Sequence, residues 1–468
     1  MPKSLQEIFE TGRDATAVVA DLKKKSIAVI PWSTLEKEYC PKKHPVMTDI
    51  SYNERTGKNG KPVKVTHVML PWQKLAVKRM GSLAFGIPVK RVYKNADEEA
   101  HKAAAAIIES IYKRNHINSV NIERSKFLYA SCEVVTIWYT QEVEGGTVYA
   151  GESTKYKLRC KNYSPMKGDC LYPLFDEYDD LIALSVEYTR DEDNKKVTYF
   201  ETYTADSHYR WRMDGSRAVE DMPPEPIQIG KINGIYGHRE LPIWDEQSEL
   251  VFEAEWTLSY NGNYVRKNSR PNWVVYADPE DKVRVGKEKD DDRLGRNVLK
   301  YPANAKAGYA TWDQSIDSIK FHVSELKNNF FMGLQLPDMS MESMKATPMS
   351  GEARKMLFID CQMKVLDESG IWIEYFDREV SVVKAFAEKM FPKYAEAIRT
   401  LEVENIITPF EIREEGERIN NYTNATGGKP VMSQRTAISR LGMVDDVDEE
   451  MQEIEKEETV DLLGEPTV

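Results

Sequence analysis

The chain has 468 residues, room for about three domains of ordinary size. Its 41% hydrophobic and 30% charged residues are the balance of a globular protein. No apolar run approaches the roughly 18 residues that a membrane-spanning helix needs, and a formal net charge of −12 argues against a protein built to grip phosphate tightly, though not against loose, sliding contact with DNA.

The N-terminus, Met1-Pro2-Lys3-Ser4-Leu5-Gln6-Glu7, predicts no secretory leader. Residues 4 to 24 predict a helix with Leu5, Ile8, Phe9, Ala15, Val18 and Leu22 near one face. Asn, Gly and Pro punctuate residues 52 to 62, which predicts an exposed hairpin tip leading into a strand from Val63 to Met69. Leu70 to Phe85 and Asp97 to Arg114 predict two helices. The first stops at Gly86-Ile87-Pro88; the second is rich in alanine, with Ile107, Ile108 and Ile111 near one face. Between residues 124 and 245 short β-rich runs take over, among them Glu133 to Tyr139, Leu181 to Thr189, Val197 to Tyr203 and Tyr209 to Met213. Turn signals at Asp191-Glu192-Asp193-Asn194 and Asp214-Gly215 separate them, so this region reads as mixed α+β with antiparallel strands.

Residues 249 to 268 predict an amphipathic helix with Val251, Ala254, Leu258 and Val265 at heptad-like spacing. Phe252, Trp256 and Tyr260 make a second apolar flank, and two flanks require two neighbours. Beyond Pro271 come β runs at 273 to 276, 297 to 301 and 308 to 312, with the charged loop Lys287 to Arg293 between them. Thr311 or Asp313 can cap a second helix, in which Ile316, Ile319, Val323, Leu326 and Phe330 repeat about every 3.5 residues. Gly333 to Ser350 is rich in Pro, Met, Ser and Asp and reads as a loop. Ser350-Gly351-Glu352-Ala353 opens one long helix with Ile373, Phe376, Val380, Val383, Ala387 and Met390 in a stripe, stopped by Pro392. A strand at Thr400 to Ile407, three short helices and an acidic tail that frays from Asp445 complete the expectation.

Little in the sequence carries reaction chemistry. Cys40, Cys132, Cys160, Cys170 and Cys361 form none of the close pairs that zinc or redox chemistry requires, and read as reduced structural thiols. The seven histidines share no helical face, so no metal site and no cofactor are expected. Neither a phosphate-binding Gly-Lys-Ser/Thr loop nor a dinucleotide-binding glycine turn occurs. Ser324-Glu325-Leu326-Lys327 matches an acylating-enzyme pattern, but Leu326 belongs to an apolar stripe and the companion motifs are missing. Asp290-Asp291-Asp292 reads as a solvated loop neutralised by Lys289 and Arg293 rather than a cation site.

Four stretches carry a family likeness. They are Leu75 to Val89, ending Phe85-Gly86-Ile87-Pro88-Val89; Asn162-Tyr163-Ser164-Pro165 with Leu181-Ile182-Ala183-Leu184 and Gly237-His238-Arg239-Glu240-Leu241-Pro242-Ile243; Leu336-Pro337-Asp338-Met339-Ser340 with Ser350-Gly351-Glu352-Ala353-Arg354-Lys355; and Met432-Ser433-Gln434-Arg435-Thr436 through Leu441-Gly442-Met443-Val444-Asp445-Asp446. In this order, across residues 63 to 458, they resemble the portal proteins of tailed phages, particularly those of siphophages infecting Gram-positive bacteria. The short C-terminal helical part and the wording Pro348-Met349 before Ser350 depart from the family pattern.

The resemblance implies an α+β, portal-like fold. Residues 1–248 would be the N-terminal part of an α/β wing, 249–268 and 313–333 a two-helix stem, and 269–312 a small β-containing clip. Residues 334–349 would be the tunnel loop, 350–408 the long wing helix and its strand, and 409–468 a short helical crown with the acidic tail. It implies a ring of about twelve copies at one capsid vertex. Double-stranded DNA would be packaged and ejected through it, and it would dock the packaging motor and head-to-tail adaptor. The expected partners are further copies of the chain, double-stranded DNA, the major capsid protein, the terminase large subunit and the adaptor, with no membrane, and assembly in the host cytoplasm. Met339, Met341, Met344 and Met349 would give the channel a soft apolar lining and Lys345 a replicated positive point. Val251, Ala254, Leu258, Val265, Ile316, Ile319, Val323, Leu326 and Phe330 would pack the stem. Two rivals remain: a metal-dependent nuclease or other virion-associated enzyme hidden between 124 and 245, and a monomeric scaffold.

Overall fold

The computed structural model describes residues 5–55, 60, 62–96, 98–268, 272–276, 284–285, 299–300, 306–310, 316–336, 359–410, 415–427, 430–444 and 447–462. The chain divides into two units, Met1–Thr347 with Ile359–Phe410, and Pro348–Phe358 with Glu411–Val468.

The first unit opens with helices α1 (Leu5–Ile8), α2 (Ala15–Leu22), α3 (Trp32–Tyr39), α4 (Pro45–Thr48), α5 (Ile50–Asn53) and α6 (Trp72–Phe85). Strand β1 (Lys90–Tyr93) precedes α7 (Glu99–Arg114) and α8 (Ile117–Ser131). The helix expected over residues 4 to 24 is two helices. Gly12 adopts a φ of 91°, which only glycine takes without strain, and Asp14 restarts the helix by accepting from the Thr16 amide at 3.2 Å. Helix α8 also departs from expectation, since β structure was predicted from residue 124. Its buried side carries Asn121, Arg124 and Ser125 as well as Ile117 and Leu128, so no clean apolar period marks it.

Eight antiparallel strands follow: β2 (Glu133–Tyr149), β3 (Glu152–Tyr163), β4 (Cys170–Phe175), β5 (Leu181–Glu192), β6 (Lys195–Tyr203), β7 (Ser207–Asp214), β8 (Arg217–Pro226) and β9 (Gly234–His238). They make a meander ordered β4-β5-β6-β7-β8 and a three-stranded sheet ordered β3-β2-β9. Alternation along the strands sends side chains to two cores. Leu184, Val186, Tyr188, Tyr199 and Tyr203 meet Val135, Ile137 and Tyr163 between the sheets. Ala183, Phe200 and Trp211 point the other way, onto Ile8, Val18, Val19 and Leu22 of the N-terminal helices. The β5–β6 hairpin turns through Asp193 and Asn194, both at positive φ, as a tight two-residue loop requires.

After β9 come helix α9 (Ser248–Asn268), strands β10 (Asn272–Tyr276), β11 (Arg284–Val285), β12 (Leu299–Lys300) and β13 (Lys306–Ala310), and helix α10 (Ile316–Gly333). The long helix is α11 (Ile359–Met390), followed by α12 (Ala395–Thr400) and β14 (Val403–Ile406), which pairs antiparallel with β1. Of its predicted stripe, Phe376, Val380, Val383, Ala387 and Met390 are buried. Ile373 is exposed, and Trp372 takes the inward place. The second unit holds α13 (Glu415–Thr426), α14 (Gln434–Leu441) and α15 (Val447–Leu462). The acidic tail expected to fray from Asp445 is thus helical over Val447–Leu462.

One buried ion pair joins three of these elements. Arg124 of α8 and Glu379 of α11 make two parallel bonds, Nη1 to Oε1 at 2.6 Å and Nη2 to Oε2 at 2.8 Å. Trp138 Nε1 of β2 donates to the same carboxylate at 3.1 Å, and Asn121 accepts from Arg124 Nη2 at 2.7 Å. The Tyr375 hydroxyl donates to Thr136 Oγ1, which donates in turn to Asn162. A charge removed from water needs such company, since losing one partner leaves the other uncompensated. Glu379→Ala should therefore cost about 3–5 kcal/mol of unfolding free energy. Arg124→Met combined with Glu379→Met should recover much of that loss, both read from denaturant unfolding followed by tryptophan fluorescence.

Candidate functional site

Helix α9 carries three polar residues in steps of four, Glu255, Ser259 and Asn263, and therefore on one face. Residues 63 to 70 lie extended and antiparallel along that face. The amide of Leu70 donates to Glu255 Oε1 at 2.6 Å, that of Val68 to Ser259 Oγ at 2.9 Å, and that of Thr66 to Asn263 Oδ1 at 2.6 Å. Four helical residues advance about 6.0 Å and two extended residues about 6.6 Å, so each amide meets the next side chain. Gly262 lets the strap approach, because a Cβ there would stand 2.7 Å from Thr66 Cγ2. The strand expected over Val63 to Met69 is thus extended, but helix side chains rather than a second strand hold it.

Tyr52 locks the strap at one end. Its hydroxyl donates to the Thr66 carbonyl and accepts from Asn263 Nδ2, both at 2.6 Å. Its ring meets Trp256 and Tyr260 edge-on, and the Arg55 guanidinium lies 5.1 Å and 5.5 Å from the Tyr52 and Tyr260 ring centres. At the other end buried His44 stands 2.8 Å from Glu255 Oε1 through Nδ1, and 2.8 Å from the Glu38 carbonyl through Nε2. A carbonyl only accepts, so Nε2 bears a proton. His44 also meets Phe252 edge-on. The Phe252, Trp256, Tyr260 flank of α9 therefore finds its neighbours in the N-terminal segment of the same chain.

Helix α10 packs beside α9, and His322 Nε2 lies 3.5 Å from Glu253 Oε1. Among the stem residues singled out in the sequence, Val251, Ala254 and Phe330 are buried, and Leu258, Ile319, Val323 and Leu326 are half-buried. Val265 is 54% exposed and Ile316 57%. The face of α10 opposite its half-buried stripe carries Phe321 and Met332, 68% and 69% exposed, on one line with exposed Glu325 and Asn328. Between the helices β10 pairs with β13 and β11 with β12, both antiparallel. The loop Lys287 to Arg293 and the loop residues Met339, Met341, Met344, Lys345 and Met349 lie outside the described residues.

Among the described residues no group of His, Cys, Asp or Glu is arranged to hold a metal, and no helix is long and apolar enough to cross a membrane. The polar ladder on α9 was missed in the sequence, although three polar residues at a spacing of four between two apolar flanks were a readable signal. Ser259→Ala should strip the Val68 amide of its acceptor and cost about 1–3 kcal/mol. Amide exchange should quicken at Val68 more than at Leu70, whose acceptor on Glu255 is intact.

Residues 32–461 match the family described as "Phage portal protein, SPP1 Gp6-like". No curated protein matches the chain. Similar solved chains come from structures titled "Neck of empty GTA particle computed with C6 symmetry", "Virion of native gene transfer agent (GTA) particle" and "Neck of native GTA particle computed with C12 symmetry". Each is 11% identical, with TM-scores of 0.40, 0.40 and 0.38. They cover 91%, 92% and 90% of this chain and 98%, 99% and 96% of their own.

Proposed function

Since this chain belongs to the SPP1 Gp6-like phage portal protein family, we propose that it closes side by side with about eleven further copies into a ring around an open axis. It is a portal protein of the virion, a structural part of the capsid vertex, and the family match across residues 32–461 carries that conclusion. Through the ring double-stranded DNA is packaged and ejected, and on it the terminase large subunit and the head-to-tail adaptor dock while the major capsid protein surrounds it.

Helices α9 and α10 serve as the stem, and residues 269–312, with the β10–β13 and β11–β12 pairs, as the clip. Exposed apolar side chains support this reading. The chain's own packing leaves Val265, Ile316, Phe321 and Met332 largely in water, and an adjacent copy would cover them and gain their burial. By family resemblance residues 334–349 line the channel, where Lys345 and the methionines touch DNA without locking it.

Phe321→Glu should leave the fold of the single chain intact, because that residue is already exposed, yet reduce ring formation in mass measurements of the purified protein. Wild-type-like rings would remove α10 from the subunit contact. Deleting residues 271–310 should spare rings and abolish adaptor recruitment in a pull-down. Lys345→Glu should lower DNA packaging while assembly persists.

A further inference from the structure

A cavity of about 510 Å³ opens at one side of the sandwich core, walled in part by Ile137, Tyr163, Ile227, Phe386 and Met390. That size lies within the roughly 300–1,000 Å³ of small-molecule sites. Lys161 and Arg190 face it, and exposed Lys389 is also in its wall. The Lys161 ammonium sits 4.3 Å from the Tyr163 ring centre and 4.6 Å from that of Tyr188, and the Arg190 guanidinium stands 4.9 Å over Tyr188. Lys161 is half-buried, yet its three N–H groups have no hydrogen-bond acceptor or ion-pair partner among the described residues. Burial and the adjacent charge of Arg190 push its pKa down, while Asp169 and Glu201 partly oppose them.

The buried carboxylate in the same wall is already satisfied. Glu201 accepts from the Tyr188 and Tyr203 hydroxyls, with His208 Nε2 and Arg210 Nε each at 3.5 Å. Burial alone would raise its pKa, but the adjacent His208 and the bonds from Tyr188 and Tyr203 hold it at about 2. Arg210 is further occupied by Asp221 at 3.2 Å. The other acid of the wall, Glu225, is mostly exposed and lies 3.7 Å from His208 Nδ1. The cavity thus offers Lys161 and Arg190 to a guest, while its own anions are engaged by neighbouring side chains.

The rest of the wall fits a flat guest. Tyr139 and Tyr156 stand partly exposed beside the cavity, and the buried Oδ1 of Asn233, also in its wall, has no partner. We propose that this cavity binds a nucleotide, with its phosphate on Lys161 and Arg190 and its base against the tyrosines. Two neighbouring positive charges favour a phosphate monoester, which carries close to two negative charges at neutral pH. Aromatic faces accept any base by stacking, and the orphan Asn233 oxygen accepts from an exocyclic amine. A free nucleotide and the 5′ end of a strand present the same groups.

Calorimetric titration of the full chain tests this with four probes: deoxyadenosine monophosphate, deoxyadenosine, inorganic phosphate and a short 5′-phosphorylated oligodeoxyadenylate. The monophosphate or the oligomer should bind saturably, at least about tenfold more tightly than phosphate or nucleoside alone; whichever binds identifies the source. Lys161→Met and Arg190→Gln should each weaken binding about tenfold, and Lys161→Arg should restore most of it. Should Lys161→Met fail to fold, Arg190→Gln decides, because that residue is exposed. Absence of saturable binding to either nucleotide probe up to millimolar concentration, equal binding of inorganic phosphate, or affinity indifferent to both substitutions would overturn the proposal.

Discussion

Arg124 and Glu379 face each other inside the first unit with almost no access to water, and the rest of that unit is arranged around keeping them so. Isolated, either charge would cost several kcal/mol to bury. Together, with Trp138 and Asn121 supplying further bonds, they fix α8, α11 and β2 at one point. A bidentate Arg–carboxylate fork tolerates little sliding or rotation, so α11 has one register against the sheet. From there order passes along the chain. β9 pairs with β2, and Trp244, just beyond β9, donates to Glu38, which also accepts from Ser248 at the start of α9. A series of bonded contacts thus runs from the buried pair to the start of the helix pair.

Much of this was legible in the sequence, and the parts that were not share a cause. Strands whose side chains alternate between two cores, and helices with a clean apolar stripe such as α7 and α11, declare themselves through periodicity. The Asp193-Asn194 turn does so through chemistry. Helix α8 did not, because Arg124, Asn121 and Ser125 occupy its buried face and the partner of Arg124 lies 255 residues away in Glu379. The strap over residues 63–70 did not, because its partners are side chains of α9. Gly12 marks the break between α1 and α2, although six apolar residues across it fit one helix face.

For the helix pair the sequence left open where the neighbours of two apolar flanks come from. One flank is satisfied inside the chain, by His44, Tyr52 and the strap. The half-buried stripe on α10 likewise faces inward. What remains outward is a sparser set of large apolar groups among charged and amide side chains. A contact of that composition holds less apolar area per residue than a core, which suits a joint that must assemble from folded parts.

The strap also sets its own length. Helix and extended chain advance by different amounts at every rung, so the two scales run together like the divisions of a vernier and then part. The mismatch of about 0.6 Å per step amounts to about 1.2 Å over three rungs, within the tolerance of a hydrogen bond. A fourth rung would place Lys64 opposite residue 267 with the error still growing. There the Lys64 carbonyl is met by Arg266, one place out of sequence, at 3.1 Å. A long, jointed side chain takes over where short ones fall out of phase, and a tether of this kind could be extended only by inserting a residue to reset the scale.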